Sequence, residues 1–283
     1  MGMKFEIVTI FPGFFASIFD HGILRRALAE NLIEVGVHDL RAFTHDRHRT
    51  LDDRPFGGGE GMVLKPEPLR EALASLGIEP KSARQTGEDG PSRTCVILLS
   101  AQGRPFTQAV ARELAALERV VLICGRYEGV DERINQLYCD QELSIGDYVL
   151  SGGELAAAVV VDAVMRLVPG VLGNEASGEF ESFGVADAEI AADAEGVPRS
   201  QHGSGGLLDY PHYTRPAEFA GLRAPVVLLN GDHQQIRRWR REQQLRKTLA
   251  NRPDLLERAN LSSEDRKLLE SIRQETAQRD LNG

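Results

Sequence analysis

The sequence has few cysteines, a single tryptophan and no long hydrophobic run, and these shortages exclude several classes of protein. Cys95, Cys124 and Cys139 are the three cysteines among 283 residues. Their odd number and their spacing argue against a disulfide framework or a zinc site and predict reduced thiols in a cytoplasmic protein. No apolar run approaches the roughly 20 residues that cross a membrane, and the N-terminal residues lack a signal-peptide pattern. We therefore expect no membrane partner.

The chain also has little positive charge for a protein that binds nucleic acid, since its formal net charge is −9. The charges are unevenly distributed, however. Residues 232–258 contain eight Lys or Arg and four Asp or Glu, whereas residues 167–198 contain seven acidic residues and no Lys or Arg. This asymmetry allows a basic docking surface on an acidic protein.

Strand and helix patterns alternate over the first two thirds of the chain. Buried-type strands are predicted at 5–11, 33–40, 95–100, 120–124 and just before Ile145, and helices at 12–31, 66–77 and 107–117. This alternation predicts an α/β fold with a mostly parallel sheet and helices on both faces. Residues 217–283 instead contain two or three helix patterns, with Ser262 as a helix-cap candidate and strand-like alternation only at 225–231.

Two segments have the composition of flexible chain. Residues 80–93 are polar and rich in turn formers, which predicts a mobile loop. Residues 174–206 are rich in Ala, Gly and acidic residues and end in a Ser/Gly tract, which predicts a disordered linker. The sequence is thus divided into an α/β domain over 1–173, a linker over 174–206 and a small, mainly helical domain over 207–283.

Two segments join a strand to a helix through a glycine-containing loop. VVLIC is followed by GRYEG and VDERINQLY, and SIGDYVLSGG precedes the apolar helix pattern ELAAAVVVDAVMRLV. Glycines allow a ligand to approach backbone amides, and two such loops in one sheet can form a pocket at its carboxyl edge. Glycines that serve only tight turns are the alternative. A phosphate loop is not supported, since neither GxxxxGK[ST] nor GxGxxG is present.

These segments resemble the TrmD-type tRNA (guanine-N1)-methyltransferases of bacteria. The resemblance spans nearly the whole chain, in the order of that family. Its motifs are FTHDRHRTLDDRPFGGGEGM (Phe43–Met62), LLSAQGR (Leu98–Arg104), CGRYEGVDER (Cys124–Arg133), SIGDYVLSGGE (Ser144–Glu154), PGVLG (Pro169–Gly173), LLDYPHYTRP (Leu207–Pro216) and IRRWRREQQLRKT (Ile236–Thr248).

The resemblance implies a SPOUT-class fold, in which the sheet is threaded as a trefoil knot. It further implies a cytoplasmic homodimer whose active sites are each built from both subunits. The implied reaction transfers a methyl group from S-adenosylmethionine to N1 of guanine at tRNA position 37, next to the anticodon. The implied nucleic-acid partner is the anticodon arm of tRNA and not DNA. The family also depends on magnesium, although no ligand cluster in this sequence locates such an ion.

Three loops are implied to bind the cofactor, mostly through backbone groups. The first loop departs from the family's usual YLSPQG at Leu98 and Ala101, so we expect aliphatic packing against the adenine. The implied cofactor-binding residues are Leu98, Leu99 and Ser100 in the first loop, Gly125, Tyr127 and Glu128 in the second, and Ile145, Gly146, Asp147, Tyr148, Val149, Leu150, Gly152 and Gly153 in the third.

Methyl transfer to guanine N1 needs a base at N1 and positive charge near O6, where negative charge develops. The resemblance assigns the contact to O6 to Arg166, with a solvated arginine near a helix end as the alternative. The family's DSF motif reads ESF here, so Glu181 occupies the position of the general base. Asp209 is the second candidate for the base, or it orients the linker or the substrate.

A cationic helix pattern surrounds Trp239 in the C-terminal part. In the context of the family it predicts contacts to phosphates of the anticodon arm, and a solvated cationic helix is the alternative. The candidate residues are Arg237, Arg238, Arg240, Arg241 and Lys247.

Two other functions stay open at this point. One is a related enzyme that methylates another position or atom of RNA, and the other is a non-catalytic RNA-binding protein that kept the fold. A metal site is not predicted, because His45 and His48 lack a matched set of ligands.

Overall fold

The computed structural model of this chain describes residues 2–84, 93–173, 180–185 and 203–282. The chain divides into two units, residues 1–173 and residues 174–283. Within the described residues, no helix is both long enough and apolar enough to cross a membrane.

A parallel sheet organises the first unit. Its strands are β1 (Met3–Thr9), β2 (Ile33–Asp39), β5 (Thr94–Pro105), β6 (Arg119–Cys124) and β7 (Gln141–Ser144). The helices are α1 (Gly22–Ala29), α2 (Pro66–Ser75), α3 (Gln108–Ala115), α4 (Glu132–Tyr138) and α5 (Glu154–Met165). The strand order is β2–β1–β6–β5–β7, and every pairing is parallel. Outside this sheet, β3 (Asp52–Asp53) and β4 (Val63–Leu64) form an antiparallel pair.

The sheet separates two hydrophobic cores, because successive side chains of a strand point to opposite faces. In β6, Val120, Leu122 and Cys124 enter one core, and Val121 and Ile123 enter the other. Helices α1, α3 and α5 cover the first core, and α2 and α4 cover the second. This arrangement confirms the predicted α/β class with helices on both faces of a parallel sheet.

The helix predicted over residues 12–31 is wrong in its first half. Short 3₁₀ helices occupy Pro12–Phe15 and Ile18–Asp20, and α1 begins only at Gly22. Gly22 has a φ of 58°, a left-handed conformation that breaks a continuous right-handed helix. The apolar spacing was misleading because Phe15 and Phe19, four residues apart, pack in the same core, although they lie on separate 3₁₀ helices.

The loop predicted over residues 80–93 lies partly outside the described residues, which end at Arg84 and resume at Arg93. Its first part is anchored to the protein. The guanidinium of Arg84 donates to both carboxylate oxygens of Asp140 at 2.8 Å, and Lys81 Nζ donates to the carbonyl oxygen of Cys139 at 2.9 Å. The turn residues in this stretch therefore position cations over the start of β7.

An acidic residue, Glu6, lies in the middle of β1 with only 2% of its side chain exposed. Its Oε1 accepts from Lys4 at 2.9 Å and from Arg119 at 3.0 Å, and its Oε2 lies 2.6 Å from His38 Nε2. Burial raises the pKa of Glu6, but the hydrogen bonds from His38 and Lys4 outweigh this effect, so its pKa lies below the ordinary value of 4.5. These side chains line a cavity of about 420 Å³ beside β2.

Replacing Glu6 with Gln is expected to lower the free energy of unfolding at pH 7 by about 2 kcal/mol, because Lys4 and Arg119 lose a buried charged partner. Since the folded-state pKa is depressed, the contribution of Glu6 is fully present above its unfolded pKa and is lost as the pH falls through the folded pKa. Urea unfolding of both proteins at pH 7 and at about pH 3.5 measures this effect. A difference in stability that is the same at both pH values would contradict the assignment.

The second unit is mainly helical in its described part. It contains α6 (His233–Asn251), α7 (Pro253–Arg258) and α8 (Ser263–Asn282), together with a short hairpin of β8 (Glu218–Phe219) and β9 (Leu222–Arg223). The strand-like segment 225–231 forms a 3₁₀ helix at Val226–Leu228 and not a strand. The core of this unit consists of Leu207, Leu245, Leu256, Leu269 and Ile272.

Ser262 caps α8, as predicted. Its Oγ accepts from the backbone N–H of Asp265 at 3.0 Å, and the Asp265 carboxylate accepts from the backbone N–H of Ser262 at 3.0 Å. Each residue thus satisfies a backbone donor at the start of the helix.

The predicted linker, residues 174–206, lies largely outside the described residues. Its described parts, 180–185 and 203–206, are hydrogen-bonded to each other. The backbone N–H of Gly205 donates to Val185 at 3.0 Å, and that of Gly206 donates to Gly184 at 3.0 Å. Next to them, Phe183 donates to the carbonyl oxygen of Leu207 at 2.8 Å. The chain around Glu181 is therefore fixed to the segment that precedes Asp209.

Candidate active site

Three adjacent strands end at the same level of the sheet. Leu99 of β5 pairs with Cys124 of β6 on one side and with Leu143 of β7 on the other. Since the carboxyl ends of parallel strands meet at one edge, the loops that follow these strands are neighbours. The structure thus brings the three predicted cofactor loops together on a single edge of the first unit.

The first loop is an excursion within β5. Both Leu99 and Arg104 pair with Leu143, so residues 100–103 leave the sheet and return to it at the same place. Leu98 and Leu99 lie in the sheet and are 5% and 3% exposed, with their side chains in opposite cores. Among the first-loop residues predicted to bind cofactor, only Ser100 lies in the excursion. Because their side chains are buried, Leu98 and Leu99 would contact a ligand only through their backbone groups.

The second loop, residues 125–129, turns sharply between β6 and α4. Tyr127 has a φ of 58°, which costs about 1 kcal/mol or more for a residue with a side chain. The turn is fixed on both sides, because Glu128 N donates to the carbonyl of Met62 at 3.0 Å and Gly129 N donates to that of Arg126 at 2.9 Å. The side chains of Tyr127 and Glu128 are exposed on the sheet edge.

The third loop follows β7 and has a buried base and an exposed tip. Ile145 packs against the core of the sheet, whereas Tyr148 and Val149 are 54% and 88% exposed. Tyr148 N donates to the carbonyl of Gly146 at 2.9 Å, and Tyr148 Oη donates to that of Ile145 at 3.2 Å. The tip at residues 147–149 is therefore presented to solvent on a short, internally bonded turn. Leu150, which follows it, is half-buried.

Gly152 and Gly153 have a role that the sequence did not reveal. Gly153 N donates to the carbonyl of Gly125 at 2.9 Å, and a Cβ at Gly153 would lie 2.7 Å from Cys124 Cα. A Cβ at Gly152 would collide with the side chains of Arg126 and Glu154. The φ of Gly153 is −76°, so a left-handed turn is not the reason for glycine there. The two glycines allow the second and third loops to pack against each other.

Arg166 follows the last residue of α5 and is half-buried. The predicted third loop leads into the other end of this helix. Twelve residues at about 1.5 Å per residue separate the two ends by about 18 Å. Arg166 therefore lies at the opposite end of α5 from the three cofactor loops of its own chain.

In the second unit, Asp209 is held beside the segment that carries Glu181. Asp209 N donates to Ser182 Oγ at 2.9 Å, directly after Glu181 in sequence. The Asp209 carboxylate accepts from Tyr210 N at 2.8 Å through Oδ1, and its Oδ2 lies 2.9 Å from His212 Nε2. Both oxygens of Asp209 are thus engaged within the second unit. Glu181 is half-buried.

The predicted cationic set on α6 does not form one surface. Arg241 donates to Asp265 at 2.7 and 2.9 Å, and its side chain is 13% exposed, so it stabilises the packing of α6 on α8. Arg240 lies over the ring of Tyr210 at 4.9 Å. Arg238 and Lys247 are exposed, but nine residues place them on opposite sides of a helix with 3.6 residues per turn. Arg237 is half-buried.

The family model described as tRNA (Guanine-1)-methyltransferase TrmD matches residues 3–258. The chain belongs to the TrmD family. A tRNA (guanine-N(1)-)-methyltransferase of Koribacter versatilis is 56% identical over 271 residues, which cover 96% of this chain and 98% of that protein. Proteins of the same name from Dehalococcoides mccartyi and Geobacter metallireducens are 48% and 46% identical, over 95% and 94% of this chain and 97% and 96% of theirs.

The loop edge of this TrmD family member suits the cofactor that the family implies, S-adenosylmethionine. The three loops offer backbone donors and acceptors, and the nearest atom to a Cβ at Gly125 would be the Leu99 carbonyl oxygen at 3.4 Å, so the backbone there is accessible. The exposed carboxylates of Glu128 and Asp147 suit a ligand that carries a sulfonium and an ammonium group. Within the described ranges, no group of three or more His, Cys, Asp and Glu side chains could hold a metal ion.

The residues that support the second and third loops were not predicted from the TrmD motifs. Thr9 Oγ1 donates to Glu154 Oε1 at 2.8 Å, and Arg126 Nη2 lies 3.3 Å from Glu154 Oε2. Burial, together with the charge of Glu154, raises the pKa of the neighbouring Cys124 thiol well above its ordinary value. The signal that could have revealed this network is an acidic residue directly before the apolar run 155–161.

Proposed function

We propose that this protein transfers a methyl group from S-adenosylmethionine to N1 of guanine at position 37 of tRNA. The observation that carries the proposal is the convergence of three loops on one sheet edge in a chain that matches the TrmD family from residue 3 to residue 258. The reduced, buried cysteines and the tRNA substrate support a cytoplasmic location.

The three loops bind the cofactor in this proposal. Ser100, Gly125 and the backbone of Ile145–Leu150 surround the adenosyl group, and the acidic side chains of Glu128 and Asp147 face its positive groups. S-adenosylmethionine, when bound, supplies the activated methyl group. The protein's own task is then to hold guanine N1 in line with that methyl group and to remove its proton.

Glu181 is the proposed general base at guanine N1, because it occupies the position of the family's general base in the ESF motif. Asp209 instead orients His212 and, through Ser182 Oγ, fixes the chain next to Glu181. Arg166 is the proposed donor to guanine O6, where it stabilises the negative charge that develops as N1 loses its proton.

A homodimer completes each active site in this proposal. Helix α5 packs one apolar side into the core of the sheet. On its other side, Leu155 and Val159 lie one turn apart and are 50% and 45% exposed. Adjacent exposed apolar side chains often mark an interaction surface, and the exposed Asp162 lies on the same face of α5. The separation of about 18 Å between Arg166 and the loop end of α5 supports an active site in which the two come from different subunits. The trefoil knot of the SPOUT class belongs to the same proposal.

The proposed tRNA contacts are basic residues of α6 that do not share one surface. Arg237, Arg238 and Lys247 are the proposed phosphate contacts, and Arg238 and Lys247, on opposite sides of α6, would contact different parts of the tRNA backbone. Arg240 lies over the ring of Tyr210. Arg241 is excluded, because it is committed to Asp265. Such contacts set affinity and salt dependence, whereas recognition of guanine 37 requires a base that is splayed out of the anticodon loop.

The test is methylation of unmodified tRNA carrying guanine at positions 36 and 37 by the purified protein with labelled S-adenosylmethionine. We expect one methyl group at N1 of guanine 37, and none on a matched tRNA with adenine at position 37. A methyl group at another nucleotide would overturn the proposal in favour of a related RNA methyltransferase. Binding of cofactor and tRNA without any methylation would indicate a non-catalytic RNA-binding protein.

A further inference from the structure

Glu154 is a buried acidic residue to which the proposed chemistry assigns no step. It is 2% exposed and is the first residue of α5, directly after Gly153 of the third loop. Burial of a carboxyl group is costly unless hydrogen bonds or charged partners compensate for the loss of water. A carboxyl group at the junction of a loop and a helix therefore indicates a specific local role.

The partners of Glu154 come from two other elements of the first unit. Thr9, the last residue of β1, donates from Oγ1 to Glu154 Oε1 at 2.8 Å and also accepts from Phe11 N at 3.0 Å. Arg126 of the second loop pairs with Oε2 at 3.3 Å. Glu154 thus joins β1, the second loop and the start of α5 at one point.

Arg126 is fixed by contacts on several sides. Its guanidinium carbon lies 4.5 Å from the centroid of the Phe11 ring, which is a favourable cation–π geometry. Its backbone forms an antiparallel bridge with Gly152. Within the described part of the chain, its Nε is buried without a hydrogen-bond partner, so Glu154 and Phe11 are the groups that set the position of the guanidinium.

We infer that Glu154 is a positioning residue, which, with Thr9 and Arg126, holds the second and third loops in the arrangement that binds S-adenosylmethionine. This inference rests on the proposed function. A site that is already ordered binds more tightly, because less conformational freedom is lost on binding. Glu154 does not touch the reacting atoms in this scheme, so its loss weakens cofactor binding more than it slows the chemical step.

The test compares Thr9→Val, Thr9→Ser and Glu154→Gln with the unmodified protein. Thr9→Val keeps the side-chain shape but removes the hydroxyl, and we expect the Kd and KM for S-adenosylmethionine to rise by about 5- to 10-fold. For Glu154→Gln we expect a rise of about 10-fold or more. In both variants kcat and the KM for tRNA change by less than about 2-fold, and Thr9→Ser, which keeps the hydroxyl, restores the affinity. Calorimetry gives the Kd without any dependence on tRNA.

Ile33→Val is the control for a general loss of stability. Ile33 is a buried residue of β2 that pairs with Met3, at the opposite end of β1 from Thr9, so its substitution lowers the melting temperature without changing the Kd for cofactor. The inference is overturned if Thr9→Val and Glu154→Gln bind S-adenosylmethionine as the unmodified protein does, while the proposed function stands. It is also overturned if Ile33→Val weakens binding to the same extent at an equal loss of melting temperature. Failure of the unmodified protein to bind S-adenosylmethionine would overturn the proposed function itself.

Discussion

Replacing Glu181 with Gln is expected to lower kcat for tRNA methylation by about 10²- to 10⁴-fold, the range associated with loss of a general base. Glutamine keeps the size and the hydrogen-bonding capacity of the side chain, but it cannot accept the proton from guanine N1. Single-turnover methylation at saturating cofactor and tRNA measures the effect on the chemical step. We expect the Kd for S-adenosylmethionine to stay unchanged, since Glu181 lies outside the three cofactor loops.

Two further substitutions make the assignment specific. Glu181→Asp keeps a carboxylate with a shorter reach and should retain far more activity than Glu181→Gln. Asp209→Asn leaves Glu181 in place and disturbs only the contact with His212 at 2.9 Å, so its effect should be much smaller. A loss of activity with Asp209→Asn that equals the expected loss with Glu181→Gln, together with an active Glu181→Gln, would make Asp209 the base.

Replacing Arg166 with Ala is expected to lower kcat by about 10²- to 10³-fold, which is the usual effect of removing a group that stabilises a developing oxyanion. The reason is that deprotonation of guanine N1 places negative charge on O6. Arg166→Lys keeps the positive charge without the planar pair of donors and should recover only part of the loss. Rates at saturating tRNA and cofactor distinguish this effect from weaker binding.

The location of Arg166 supplies the control for this second prediction. Its proposed contact is with guanine O6 and not with the cofactor, so the Kd for S-adenosylmethionine in the absence of tRNA should be the same for Arg166→Ala and for the unmodified protein. An effect on tRNA affinity alone, with an unchanged kcat, would mean that Arg166 contacts a phosphate or solvent and does not stabilise the transition state.

The central strands β1, β6 and the first half of β5 were predictable because their residues are buried on both faces. VVLIC supplies side chains to two cores at once, and a continuous apolar run of this length between turn signals is typical of a central parallel strand. The segment before α1 was not predictable by the same rule. Phe15 and Phe19 have helical spacing, but they lie on separate 3₁₀ helices and the chain breaks again at Gly22. Periodicity does not distinguish one long helix from several short ones.

For the basic residues of α6, the sequence does not show which are exposed and which are buried in ion pairs. The sequence places Arg241 among its basic neighbours, and nothing local distinguishes it from Arg238. The partner that buries Arg241 is Asp265, which lies 24 residues later on α8. Pairing across such a separation depends on how the helices pack, and hydrophobic residues such as Leu245 and Leu269 determine that packing.

The sequence by itself determined the family, the α/β class, the three loops and the candidates for base and O6 donor, because motifs and periodicity are local properties of the chain. Only the tertiary structure decided that Leu98 and Leu99 are buried, that Gly152 and Gly153 allow loop-to-loop packing and that Asp209 is engaged with His212. It alone joined Thr9 to Glu154, which are 145 residues apart. The physical reason is that a buried polar group needs a partner, and the sheet, not the sequence order, brings that partner within hydrogen-bond distance.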